Sequence, residues 1–200
     1  MHPAPAFRVT EAEPLLAFIA EHPFATLAAA PRGRPLVAHT PLVVRRSGQD
    51  LAIDFHLSRG NLLAPFVAEG FVATVVSLGP DAYVSPDWYA SADQVPTWNY
   101  AVVEAEGRVT ALDAAETAKL LDDLSAQEEA RLAPKPAWTR GKMSPGRFDA
   151  MLPGVVGARM RVERLEGTFK LSQNKPAADR QGVVTALGAH PIARLMERER

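Results

Sequence analysis

Leu36-Val37-Ala38-His39-Thr40-Pro41-Leu42-Val43-Val44, then Arg45-Arg46-Ser47-Gly48-Gln49-Asp50, then Leu51-Ala52-Ile53-Asp54-Phe55-His56-Leu57, reads as two strands joined by a tight reversal. Apolar residues recur at alternate positions on both sides of the Ser-Gly, the period at which a strand sends neighbours to opposite faces. With Ser47-Gly48 at the tip, Val44 falls opposite Leu51, Leu42 opposite Ile53, Thr40 opposite Phe55 and Ala38 opposite Leu57. That face is nearly all apolar. The reverse face holds His39 opposite His56 and Pro41 opposite Asp54, a polar patch on a ribbon whose other side is core.

Outward from this hairpin, residues 24–30 and 71–78 have the same strand character, and Pro-Arg-Gly-Arg and Glu-Gly breaks separate them from their neighbours. Thr10 to Glu13 spells a capping box, which predicts a short helix to about His22. Asn61 is an N-cap for a helix over 62–69. Residues 79–97 carry Pro80, Pro86 and Pro96 with Tyr83, Trp88 and Tyr89, too many prolines for a central strand, and read as an aromatic loop. Residues 98–111 return to strand. Asp113 and Glu116 form a second capping box, and the helix it opens runs to about Arg131 with six acids against one lysine. The next stretch, 131–147, holds five basic residues, no acid, and Pro134, Pro136 and Pro145, and reads as a linker or surface arm. Ser144-Pro145 opens a short helix to Leu152. Residues 155–171 form a long strand with a bend at Gly167, and Pro176 onward is helix, broken at His190-Pro191. The predicted fold is α+β: a small antiparallel barrel in one domain over 1–200, with helical parts at 113–153 and 176–200.

Two hundred residues, 47% apolar and 22% charged, suffice to bury a core without disulfides or a structural metal. The chain has no cysteine, so thiolate nucleophiles and cysteine-bound metal centres are excluded, and a reducing compartment fits. A net charge of −1 gives no overall field toward nucleic acid or anionic lipid. No basic leader and no stretch near the ~20 apolar residues of a membrane span are present, so a soluble, cytoplasmic protein is expected. No G-x-G-x-x-G, Walker A loop, H-E-x-x-H or G-x-S-x-G occurs.

Three clusters have the residue types that chemistry needs. His56-Leu57-Ser58-Arg59-Gly60-Asn61 puts a hydroxyl, a guanidinium and a glycine where a strand gives way to the predicted helix, a composition suited to phosphate. A simply capped turn would use the same residues. The aromatic loop with Val95-Pro96-Thr97-Trp98-Asn99-Tyr100 suits a planar heterocycle stacked on its faces and hydrogen-bonded at its edges; packing is the plain alternative, and Trp98 is expected in the core. Lys170-Leu171-Ser172-Gln173-Asn174-Lys175 is a polar cluster that a solvated turn would also explain.

These blocks, together with Pro23-Phe24-Ala25-Thr26-Leu27, His39-Thr40-Pro41-Leu42 and the run from Gly79 to Tyr89, resemble the PaiB family of FMN-binding negative transcriptional regulators, and they keep their order from about Phe7 to Leu187. The resemblance implies an FMN-binding split barrel related to the pyridoxamine-phosphate oxidases, a homodimer with flavin held between subunits. It implies that Ser58 and Arg59, with His56 and Asn61, clamp the ribityl phosphate and that His39 and Thr40 lie along the flavin. It further implies that Trp88, Trp98, Asn99 and Tyr100 line or support the pocket, and that Lys170, Ser172 and Gln173 close it. Leu62 and Gly60 stand where the family tends to have proline and alanine.

Two roles are compatible with that fold. As a regulator, the protein would act on DNA directly or through a regulatory protein partner, and the basic stretch with Arg140, Lys142 and Arg147 is the candidate contact. As a flavin-dependent oxidoreductase, it would take hydride from NAD(P)H, and the flavin itself would supply the chemistry.

Overall fold

Burial alternates along 36–42 as the strand period requires: Leu36, Ala38, Thr40 and Leu42 are buried while Val37 and His39 face solvent. In the computed structural model, which describes residues 3–48 and 50–198, the elements in chain order are β1 (Arg8–Val9), α1 (Ala12–Glu21), β2 (Phe24–Ala29), β3 (Leu36–Ser47), β4 (Asp50–Ser58), β5 (Phe71–Val84), β6 (Thr97–Ala111), α2 (Ala114–Ala130), α3 (Arg147–Met151), β7 (Val155–Lys170), α4 (Ala177–Leu187) and α5 (Pro191–Arg198). The readings that touch Met1, His2, Glu199 and Arg200 lie outside the described residues. No helix among the described residues is long and apolar enough to cross a membrane.

The chain forms two compact units. Unit two, Ile19–Ser77 with Glu104–Arg164, contains the antiparallel barrel: strand order β7-β4-β3-β2-β5-β6, closed by pairing of β6 with β7. Its interior holds Leu27, Leu42, Ile53, Phe55, Leu57, Val75, Val109 and Met160. At Gly107 the closing strands meet so closely that a Cβ would stand 2.8 Å from the Arg161 carbonyl carbon and nearer still to its oxygen. Only glycine fits there.

α2 lies on the outside of this barrel. Its capping box forms as predicted, with the Asp113 carboxylate accepting from the Glu116 amide at 2.8 Å and the Glu116 carboxylate from the Asp113 amide at 3.1 Å. The outward-facing Val43 packs against Leu120 and Leu124 of this helix. Beside it Asp54, 1% exposed, accepts from Arg45 Nε at 2.9 Å and from Arg159 Nε and Nη2 at 2.7 and 2.9 Å. A buried carboxylate is tolerable there because both oxygens are paired.

In unit one, Met1–Phe18, Leu78–Val103 and Leu165–Arg200, β1 pairs with the end of β7 through Arg8↔Thr168 and Val9↔Gly167. Phe18 packs on Phe169 with ring centroids 5.1 Å apart. Gly182 of α4 abuts the Trp88 carbonyl, where a Cβ would collide with the oxygen.

Four expectations are corrected. The β3–β4 ladder runs from Leu42↔Phe55 to Ser47↔Asp50, so Val44 faces Ile53 and not Leu51. Gly48, at φ +57°, takes the first turn position itself, which pushes the tip one residue further. The shift moves every partner by two and leaves each side chain on its predicted face. It also leaves His39 and His56 off the ladder: His39 Nδ1 lies 3.2 Å from Thr26 Oγ1 on β2, while Thr40 Oγ1 donates to the His56 carbonyl at 2.7 Å. The helix over 62–69 is only a 3₁₀ turn, Ala64–Phe66, around Pro65, with Asn61 capping the turn that enters it. β5 continues through Pro80 to Val84, beyond its pairing with β2 at residues 73–76, where a missing N–H costs no bond on that side. Trp98 is 55% exposed, on the outward side of β6, and is not core.

Candidate functional site

Pro41 and His56 lie past the part of the β3–β4 face that α2 covers. Over them α2 contributes Leu121, Leu124 and Ser125, and the segment after it swings back with Trp138, Met143, Phe148 and Leu152, enclosing a cavity of about 570 Å³. That volume falls within the range of small-molecule sites. The walls are mostly apolar. His56 lines this cavity, and its Nδ1 is buried with no hydrogen-bond partner in the protein, an orphaned polar atom of the kind native structures rarely leave.

Burial pushes the His56 imidazole below its ordinary pKa of 6.5 and keeps it neutral. The unfolded chain takes up a proton near 6.5 that the folded chain refuses, so stability should fall as pH drops through that value and level off only below the folded pKa. His22 is lowered in the same sense, mainly by burial. Urea unfolding at pH 7.5 and 5.5 checks this; the loss should shrink in His56→Gln and shrink further when His22→Gln is added.

A second cavity of about 270 Å³ shares Leu152 and Val155 with the first and is lined by Arg59, Thr117 and Asp149. Arg59 reaches it from the end of β4: its amide donates to the Gly154 carbonyl at 2.9 Å, and its guanidinium donates to the carbonyls of Pro153 and Val155. Ser58 beside it is exposed. Asn61 is used by its own turn, its side-chain oxygen accepting from the Leu63 amide at 2.9 Å and its carbonyl from Ala64 at 3.0 Å. The Leu63 and Ala64 amides at the predicted helix terminus are thus already taken, while Ser58 and Arg59 stand exposed beside them.

Of the residues singled out from the sequence, His39, Thr40, His56, Ser58, Arg59 and Asn61 fall in unit two, and Trp88, Trp98, Asn99, Lys170, Ser172 and Gln173 in unit one. Thr40 points into the barrel core; His39 stacks on exposed Phe24. Among the unit-one residues, Asn99 binds Ser172 and Lys170 binds the main chain of Trp98. Asn99, fully buried, donates to Ser172 Oγ at 2.8 Å, and Ser172 holds a positive φ of 59°. Lys170 Nζ donates to Thr97 Oγ1 and the Trp98 carbonyl, and burial with Lys175 nearby holds its ammonium below the ordinary lysine range. Gln173 spans its own turn, donating to the Phe169 carbonyl and accepting from the Leu171 amide at 2.7 Å. Trp98 meets Tyr83 edge to face at 6.2 Å.

The residues that sequence reasoning missed are those of the arm. Trp138, Met143, Phe148 and Met151 lack any helical or strand period, and their one signal was apolar bulk in an otherwise basic, proline-broken stretch. Three of the arm's cations pair with acids of α2. Lys135 pairs with Glu129, Arg140 with Asp122 at 3.2 Å while lying 4.8 Å over the Phe148 ring, and Arg131 with Glu128 at 3.3 Å. The acidic helix and the basic arm are two halves of one neutralised layer.

Residues 1–164 match the model of the family described as "Putative FMN-binding domain". The chain is 32% identical over 197 residues, 96% of its length and 94% of the relative's, to the protease synthase and sporulation protein PAI 2 of Bacillus subtilis. The chain belongs to this FMN-binding family, and is of the PaiB type. Flavin mononucleotide is accordingly its cofactor. Among solved structures it is similar to an FAD and heme binding protein from Mycobacterium smegmatis, with a TM-score of 0.61 at 20% identity over 92% of this chain and 82% of that one. It is also similar to the flavocytochrome Anf3 from Azotobacter vinelandii, with a TM-score of 0.60 at 18% identity over 84% and 72%. At such identities the likeness is one of fold, and it agrees with the barrel of unit two.

Proposed function

We propose that the PaiB-type chain holds FMN in unit two, the flavin ring in the cavity over Pro41 and His56 and the ribityl phosphate at Ser58 and Arg59. The observation that supports this most directly is the buried, unpartnered His56 Nδ1 on the wall of an apolar cavity that adjoins a guanidinium. A flavin combines a planar apolar ring bearing edge polar atoms with a terminal anion, and the two adjoining cavities offer matching chemistry. Bound there, the flavin supplies reversible electron and hydride chemistry. The chain's own residues exclude water through Leu121, Trp138 and Phe148, offer one neutral imidazole edge, and anchor the charge. Lys170, Ser172, Asn99 and Gln173 act as framework in unit one.

The experiment fills the cavity without touching the anchor. Ser125 lines the cavity from α2, its hydroxyl donating to the Leu121 carbonyl at 2.9 Å. Ser125→Trp should abolish the flavin absorbance that co-purifies with the wild type while thermal stability stays within a few degrees. Unchanged flavin content in the folded variant would place the ring elsewhere.

The Bacillus relative's name links it to protease synthesis and sporulation, and a regulatory role is the reading carried to this chain. A regulatory protein partner suits it better than direct DNA contact, because the net charge is −1 and, of the candidate contacts Arg140, Lys142 and Arg147, Arg140 already pairs with Asp122 of α2. A second copy of the chain is a further partner: Phe24, Val37 and Val72 are 69%, 60% and 55% exposed on β2, β3 and β5, an apolar barrel face of the kind that subunit contact covers. Turnover of NAD(P)H by the flavin-loaded protein is the test that separates an oxidoreductase from a regulator.

A further inference from the structure

Met151, the last residue of α3, is 54% exposed, yet it also lines the cavity over Pro41 and His56, wholly within unit two. The other described methionines differ. Met160 and Met196 are fully buried, and Met143, on the same cavity wall, is half-buried. Met151 is thus the one described thioether that is both open to solvent and part of a cavity wall. The chain has no cysteine, so no thiolate competes with it for an oxidant.

The wall around Met151 is apolar, with Leu121, Leu124, Phe148 and Leu152. A thioether packs there as well as a leucine does, but its sulfur lone pair can take an oxygen atom. In reaction with hydrogen peroxide an S–O bond forms as the O–O bond breaks. The sulfide is oxidised to a sulfoxide, and the peroxide is reduced to water, which carries away both hydrogens. A strongly polar group then replaces an apolar one. The new S–O group keeps its hydrogen bonds to water only by leaving the wall, and an occupant packed against that wall loses contact.

We propose that Met151 is a peroxide-oxidised site, and that its sulfoxide releases the occupant of this cavity. The oxidation depends only on exposure; the release rests on the flavin ring lying in that cavity. Reduction by methionine sulfoxide reductases, with a dithiol as the reductant that becomes a disulfide, restores the thioether and the affinity.

The test treats the full flavin-loaded chain with hydrogen peroxide, follows each methionine by peptide mass spectrometry, and measures FMN affinity before and after. Met151 should gain one oxygen about tenfold faster, or more, than Met160 and Met196, and the oxidised protein should bind FMN about fivefold more weakly or worse. Sulfoxide reductase with dithiothreitol should reverse the loss. Met151→Leu, which retains Met143, should keep after peroxide the affinity it has before. Met151→Gln, with a polar amide in place of the sulfoxide, should bind FMN weakly without oxidant. Oxidation of Met160 or Met196 as fast as Met151, unchanged affinity once Met151 is oxidised, or equal loss of affinity in peroxide-treated Met151→Leu would overturn the proposal. Ser125→Trp tells the two readings apart. If it expels flavin while oxidation of Met151 does not, the modification proposal fails alone; if neither expels flavin, the ring lies elsewhere and the release falls with it.

Discussion

Gly107→Ala is expected to yield no soluble protein, or a barrel destabilised by about 4 kcal/mol or more, the range of the most damaging single substitutions. The added methyl would overlap the backbone oxygen of Arg161, and its contact with the carbonyl carbon, 2.8 Å, is already shorter than real Cβ atoms accept. A flexible side chain in that place would swing aside. Here the obstacle is main chain in the strand that closes the barrel, fixed on its other edge by the β4–β7 ladder at Ala52↔Arg161. Relief must therefore come from parting β6 from β7. Soluble yield and urea midpoint check this, with Gly154→Ala, where a Cβ meets nothing within 4 Å, as the silent control.

The double variant Ser58→Ala, Arg59→Ala should lose FMN affinity by about a hundredfold or more. A hydrogen bond to a charged group is worth about 1.5–3 kcal/mol, and each 1.4 kcal/mol is a factor of ten. Both side chains are exposed, so the barrel core is untouched and far-ultraviolet circular dichroism should match the wild type. Riboflavin makes the sharper comparison. Lacking the phosphate, it should bind wild type and variant alike, whereas equal FMN affinity in the two proteins would place the anion on other groups.

The readable parts of the sequence were those that local physics decides. α2 begins where its capping box says, because Asp113 and Glu116 are three residues apart and satisfy each other. β7 was expected over 155–171 and spans Val155–Lys170, since Ala158, Met160 and Val162 alternate with Arg159, Arg161 and Glu163 at the strand period. The face of each hairpin side chain was legible because period two survives a register shift of two. The register itself was not, because it depends on whether Gly48 is the first or second residue of the turn. The 62–69 helix failed because Asn61 caps a turn as readily as a helix and Pro65 favours the shorter structure. The arm was missed for a different reason: its cavity-lining side chains obey no period, and only the acidic helix they meet across the fold gives them their place.

That meeting of opposite charges at the surface has a kinetic consequence. The strap over the cavity proposed for the ring is fastened through Lys135–Glu129 and Arg140–Asp122, couples open to solvent, and mobile electrolyte weakens such couples by shortening the reach of their fields. Residence time of the occupant therefore shortens as ionic strength rises, by no more than a few-fold for each pair, while the barrel beneath, held by interior packing, keeps its midpoint.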